Sequence, residues 1–179
     1  HTPIRRQRQM CIRDSHSRTP DCSMKKNYNL YLGRAGHLTV MSEFLIRGWN
    51  VAIPEVDIGD DIFVVQDENG TLQRVQVKTS ASTERANSFS GQFNIPLSQL
   101  KNLSDILIHF VFIVRHFDKW TTPIIIRQDF LLDHYENHNI GSEHDGHLIL
   151  YFSYSENKVE CSKVNFTPYV ADFRDFPIL

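Results

Sequence analysis

The sequence predicts an α/β (α+β) domain in three layers, with a central mixed sheet flanked by helices. Three observations carry that reading. A helical apolar stripe near the start, Leu38, Met41 and Leu45 at spacings of three and four, gives way at once to short β-branched runs. Two of those runs, 61–66 and 72–78, flank Asp67-Glu68-Asn69-Gly70, a turn that pairs them as an antiparallel hairpin. The run Ile106 to His116 is apolar on both faces, as a strand covered on both sides requires. One helix, three strands and then mixed elements make a layered α and β domain.

The elements follow in order. Arg34 to Arg47 is helical, with Val40 and Phe44 widening the stripe and Gly48 stopping it. Trp49 to Ile53 is a short strand closed by Pro54, and Asp57-Ile58-Gly59-Asp60 is turn chemistry. Asp61 to Gln66 and Leu72 to Lys78 form the hairpin. Thr79 to Ser90 reads as a polar loop, Gln92 to Ile95 as a strand, and Ser98 to Leu103 as a short helix. Pro123 to Ile126 is a strand, and Gln128 to Asn137 a helix with Phe130, Leu131 and Tyr135 on one side. Leu148 to Ser153 and Lys158 to Cys161 form a last hairpin, and Thr167 to Phe173 a terminal helix.

The chain has 179 residues, enough for one domain with a real core. Its 41% hydrophobic and 22% charged content excludes a disordered chain. The longest apolar run, Ile106 to Val114, is broken by His109 and too short to span a bilayer, and no signal-peptide pattern is present. No membrane partner is expected. A formal charge of −2 gives no global basic signature for nucleic acid. The three cysteines form no C-x-x-C pair, so a reducing, cytoplasmic setting is the expectation. Residues 1–23 have no apolar period and carry five Arg, and RQRQMCIRDS is similar to translated sequencing-adapter read-through. They are expected to be a disordered leader or such an artefact, with the domain at 24–179. Without them 14 basic residues face 19 acidic ones, so a basic-arm argument carries no weight.

Chemistry concentrates between Gly33 and Ser80. Asp61 opens a strand directly after a turn, which puts its carboxylate at the sheet end. Gln76 and Lys78, two apart on the partner strand, share a face, with Val75 and Val77 on the other. The hairpin is expected to bring Lys78 back level with Asp61. An ionised Asp is a hard ligand for Mg²⁺, a Gln carbonyl adds a neutral oxygen, and a nearby Lys can orient or deprotonate water. Such a set suits phosphodiester hydrolysis. The same residues also suit a turn-forming Asp and the wet face of an amphipathic strand. Arg74 lies on the Gln76 face and could touch phosphate, and Arg85 and Lys101 flank the site in sequence. His134 and His138 at i, i+4 lack the Glu of a metalloprotease helix and, with His144 and His147, read as solvated histidines.

Residues 33–80 resemble the PD-(D/E)XK nuclease superfamily, above all its small endonuclease-like members with Gln-x-Lys in the last motif. The matching pieces are Gly33 and Gly36, Gly48-Trp49-Asn50-Val51, Asp61-Ile62-Phe63-Val64-Val65, and Arg74-Val75-Gln76-Val77-Lys78-Thr79. The resemblance implies a restriction-endonuclease-like fold and a metal-dependent endonuclease acting on DNA, of restriction, homing or repair type. It implies Asp61 as metal ligand, Gln76 where Asp or Glu is commoner, and Lys78 as catalytic lysine. Mg²⁺ or Mn²⁺ would be the cofactor with no small-molecule cofactor, and such folds commonly work as homodimers. Arg74 and Arg85, from their positions beside the motif, are the candidate nucleic-acid contacts, with ordinary surface the other reading of Arg85. The family's first-helix Glu falls at His37, which becomes a possible second ligand or a packed core-edge histidine. With Gln76 and His37 both neutral, weak metal affinity or a preference for Mn²⁺ follows. A catalytically inactive nucleic-acid- or partner-binding module, and an unrelated α+β domain, are the competing readings.

Overall fold

A 25-residue helix, α1 (Cys22–Ile46), leads into the computed structural model, which describes residues 22–55, 61–67 and 70–178. The strands β1 (Asn50–Ala52), β2 (Ile62–Gln66) and β3 (Thr71–Ala81) follow, then β4 (Thr83–Arg85), β5 (Ser88–Pro96) and the short helix α2 (Leu97–Lys101). Next come β6 (Ile108–His116), β7 (Lys119–Trp120), β8 (Ile124–Arg127) and the helix α3 (Gln128–His138). The chain closes with β9 (Ser142–His144), β10 (His147–Ser155), β11 (Lys158–Cys161), β12 (Val164–Asn165) and one 3-10 turn, Thr167–Tyr169. Among the described residues, no helix is long and apolar enough to cross a membrane.

The class is α+β, and its central sheet is mixed, as the sequence predicts. That sheet runs β1-β2-β3-β6-β7, with β8 also on β6, and β3 and β6 pair in parallel while the other pairs are antiparallel. Period two sorts β6 cleanly. Val111 and Ile113 face a core shared with Val40 and Phe44 of α1, Trp49, Ile62, Val64, Val75 and Val77. Phe110, Phe112 and Val114 face a second core, shared with Phe93, Ile95, Leu148, Leu150 and Phe152. The second core is closed by another sheet, β12-β11-β10-β5-β4 with β9 on β10, in which every pair is antiparallel. The three layers are therefore helix, mixed sheet and antiparallel sheet, with α2 and α3 adding Leu100 and Leu131 to the second core.

Three expectations are corrected. The first helix starts at Cys22, twelve residues before Arg34, and its buried stripe is Leu32, Gly36, Val40 and Phe44, whereas Leu38 and Leu45 are each 53% exposed. Gly36 conceals the true face because it has no side chain: a Cβ there would stand 2.2 Å from Thr79 Oγ1 and 3.1 Å from Thr79 Cβ. Its absence lets α1 lie close against β3. The polar stretch 79–90 is the end of β3 plus the β4–β5 hairpin, whose strands are stabilised by cross-sheet pairing despite their polar composition. Residues 167–173 form only one 3-10 turn, because Val170 turns extended (ψ 124°) and the left-handed Ala171 (φ 53°) carries the chain away from the helical path, while Pro168 sits in the first turn where it is tolerated. The turn residues Asp57 and Asp60, and most of the leader, lie outside the described residues.

Candidate active site

The site lies at a fork in the mixed sheet. Ile62 pairs with Val75, and the Asp61 amide donates to the Val75 carbonyl at 3.0 Å, which puts Asp61 level with Gln76. Here β2 begins, while β3 continues beside β6 to Ala81. Lys78 therefore lies one two-residue step beyond Asp61 rather than level with it, which corrects the hairpin estimate. The register is set by where β2 starts, and Asp61 itself precedes the strand.

Among the described residues no β2 backbone group meets the Val77 amide, and the Asp61 carboxylate does so instead, with Oδ2 accepting from Val77 N–H at 2.7 Å. The same oxygen accepts from Gln76 Nε2. From the opposite side, α1 brings His37 Nε2 to 3.4 Å from it. His37 can reach because Gly36, one residue earlier, seats the helix on Thr79. Both side chains of the pair are partly shielded, 23% and 12% exposed. Asp61, Gln76 and His37 thus converge on one atom. Lys78, half-buried on the same β3 face as Gln76, lines an open cleft of about 410 Å³ with Asn94, Pro96, His144, Asp145 and His147.

The other candidates are placed differently. Arg74 Nη1 donates to Ser104 Oγ at 2.6 Å and to the Ile106 carbonyl at 3.1 Å, which ties down the loop before β6. Arg85 is exposed at the β4–β5 turn, where it borders a depression with Asn87, His116, Phe117 and Glu156. That depression shares no lining residue with the Lys78 cleft. Lys101 stands 5.3 Å from the Tyr135 ring centroid. His134 and His138 do share a helix face, and with Asp133 they offer ligand atoms within 4.8 Å of one another. His134 Nε2 is engaged with the Tyr169 hydroxyl at 2.9 Å, and burial holds its pKa below the ordinary histidine value.

Sequence reasoning passes over two features. Gln99, on α2, donates from Nε2 to Gln76 Oε1 at 2.8 Å. A glutamine in a five-residue helix carries no periodic signal that would single it out. His144 and His147, read above as solvated histidines, are exposed, but their setting is missed: they stand opposite each other in β9 and β10 and border the Lys78 cleft. Their Gly146 turn is visible in the sequence, but its return to the sheet fork is not.

The donors at Asp61 fit a divalent cation. They comprise one carboxylate and one imidazole, with a carboxamide that presents its NH₂ to Asp61 and could add its carbonyl only by turning over, and the 3.4 Å between His37 Nε2 and Asp61 Oδ2 is close to the roughly 3 Å that separates neighbouring ligands of one small ion. No protein-family model and no curated protein matches the chain. Among solved structures it is similar to a bacterial homing endonuclease, I-Ssp6803I, with 19% identity and a TM-score of 0.40. The likeness covers 57% of this chain and 71% of that one.

Proposed function

We propose that the protein is a metal-dependent endonuclease that hydrolyses DNA phosphodiester bonds, with Asp61, Gln76 and Lys78 as its working residues and His37 as a further metal ligand. The observation that carries this reading is the convergence of Gln76, Val77 N–H and His37 on one Asp61 oxygen at the sheet fork, with Lys78 one step along the same strand face. Asp61, Gln76 and His37 would hold Mg²⁺ or Mn²⁺. When bound, the cation supplies Lewis acidity that lowers the pKa of water and offsets charge on phosphorus. The chain does the rest. Val77 N–H fixes the carboxylate in place, so its orientation is set before substrate arrives. Lys78 presents an ammonium at the cleft, able to orient the attacking water or to stabilise negative charge on a phosphate oxygen. With an overall charge of −2, attraction to DNA would rest on individual cations such as Lys78 and would be weak and lost as salt rises.

Supercoiled plasmid incubated with Mg²⁺ or Mn²⁺ tests the reading. The wild type is expected to nick it, EDTA to stop the reaction, and Lys78→Ala to abolish it. Absence of nicking at any metal concentration sinks the assignment. The second reading, a catalytically inactive module on the same scaffold, draws support from the single carboxylate in the donor set. It is distinguished by a DNA mobility shift without cleavage.

A further inference from the structure

The orientation of Gln76 has a consequence for how the site takes a cation. An ionised carboxylate only accepts hydrogen bonds, so the Gln76 atom facing Asp61 is its NH₂, and its carbonyl faces away. That carbonyl accepts from Gln99 Nε2 at 2.8 Å. An amide nitrogen offers no lone pair to a metal. Gln76 can therefore ligate only after its carboxamide turns half a revolution about its last torsion, a soft two-fold rotation. Its NH₂ would then point at Gln99. Gln99 can answer by turning too, because a carboxamide carries both a donor and an acceptor.

We infer that Gln99 is a positioning residue for Gln76, and that the Gln76–Gln99 pair turns over in concert when a divalent cation enters beside Asp61. The inference rests on the proposed metal site. A Gln–Gln pair keeps its hydrogen bond in both orientations, so the buried Gln76, 6% exposed, retains its Gln99 bond during the exchange. Gln99 is itself held from behind. The fully buried Gln128 amide donates to the carbonyls of Gln99 (2.8 Å), Leu100 (3.2 Å) and Asn102 (3.2 Å), and its own carbonyl accepts from Ile108 N–H at 3.2 Å. One side chain from α3 thereby gathers the carbonyls at the end of α2 and anchors them to β6. The backbone of Gln99 stays fixed while its side chain turns.

A glutamate at position 99 accepts but cannot donate. It would hold Gln76 with its NH₂ toward position 99 and its carbonyl toward Asp61, the metal-ready orientation. The experiment compares Mg²⁺ affinity, measured by calorimetry, for the full-length wild type, Gln99→Glu and Ser98→Glu. Ser98 is exposed on the same helix and supplies the same charge outside the relay. Gln99→Glu is expected to bind Mg²⁺ roughly tenfold more tightly than Ser98→Glu, as one buried hydrogen-bond mismatch removed would give. Side-chain amide NMR supplies the readout that a merely structural role would not move. In the wild type, Mg²⁺ should shift the NH₂ signals of Gln76 and Gln99 together. In Gln99→Glu, the Gln76 signals should already stand near their metal-bound positions. Equal affinities for the two glutamate variants, or a Gln76 shift without a Gln99 shift in the wild type, overturns the relay and leaves the metal site standing. No Mg²⁺ binding to the wild type overturns both. The wild-type titration decides the matter even where Gln99→Glu does not fold.

Discussion

The His37–Asp61 and His109–Asp175 pairs use the same two residue types on one scaffold, and their surroundings set them to different tasks. Around Asp61 the neighbours are polar: Gln76, the Val77 amide and an imidazole meet on one oxygen, and Lys78 follows two residues after Gln76 on β3. Around His109 an aromatic ring closes in on a buried imidazole, and the charged groups Asp175, Arg127 and Asp129 stand on its outer side. The His109 Nε2 lies 2.9 Å from Asp175, its side chain is 4% exposed, and the Phe176 ring stands edge-on at 4.9 Å. Phe176 also packs on Phe44 and Trp49, at 4.7 and 5.5 Å between centroids, and Trp49 Nε1 donates to the Pro177 carbonyl at 2.8 Å. Burial holds the His109 pKa below the ordinary value, so the ring is neutral at pH 7 and donates to Asp175. One pair gathers polar groups on a single carboxylate oxygen. The other latches the C-terminal segment to the sheet. A His–Asp contact alone specifies neither task.

Variants of the two pairs should separate chemistry from stability. The largest effect is expected at Lys78→Ala, which should lower metal-dependent nicking at least about 100-fold, with circular dichroism and melting unchanged. A variant that keeps a tenth of the activity would remove Lys78 from the chemistry. Next comes Phe176→Ala, which empties a fully enclosed aromatic site and should cost about 3–5 kcal/mol in denaturant titration. At matched fraction folded its nicking should equal wild type, and a loss there would join the latch to the active site. Gly36→Ala should cost about 1–3 kcal/mol through overpacking against Thr79, whose Cβ cannot rotate away. Because it lifts α1 at His37, it should also weaken Mn²⁺ binding, measured by electron paramagnetic resonance.

The smallest effect concerns pH. His109 and His134 both have folded-state pKa values below the ordinary 6.5, chiefly through burial. The unfolded chain therefore binds more protons than the native one between that lowered value and 6.5. Stability contributed by these groups is complete above 6.5 and declines as the pH falls below it. Urea midpoints from pH 8 to 5 should show that decline, and His109→Gln should flatten it. An unchanged slope in His109→Gln would mean that the buried ring titrates normally.

The central strand, the hairpin and the final β10–β11 pair are legible in the sequence because β-branched periodicity and Gly or Asn turns are local signals. The β4–β5 hairpin is not, since Thr83, Glu84 and Arg85 owe their strand geometry to pairing with Phe89 and its neighbours. The buried face of α1 is misread because Gly36 counts as a gap in an apolar pattern and yet marks the closest helix–sheet approach. At the candidate site, hairpin geometry makes it legible that Asp61 meets the Gln76-to-Lys78 end of the partner strand, but it puts Lys78 level with Asp61 where Gln76 stands. The one-step offset of Lys78, the Val77 N–H bond and Gln99 depend on where β2 begins and where α2 returns, which are tertiary facts.

The most direct measurement sets the two aspartates against each other in one Mn²⁺ series of plasmid nicking, with wild type, Asp61→Asn and Asp175→Asn at equal folded concentration. Asp61→Asn is expected to lose cleavage at every Mn²⁺ concentration and Asp175→Asn to keep the wild-type rate. Cleavage that survives in Asp61→Asn, or that vanishes equally in both, would contradict the placement of the chemistry at the sheet fork.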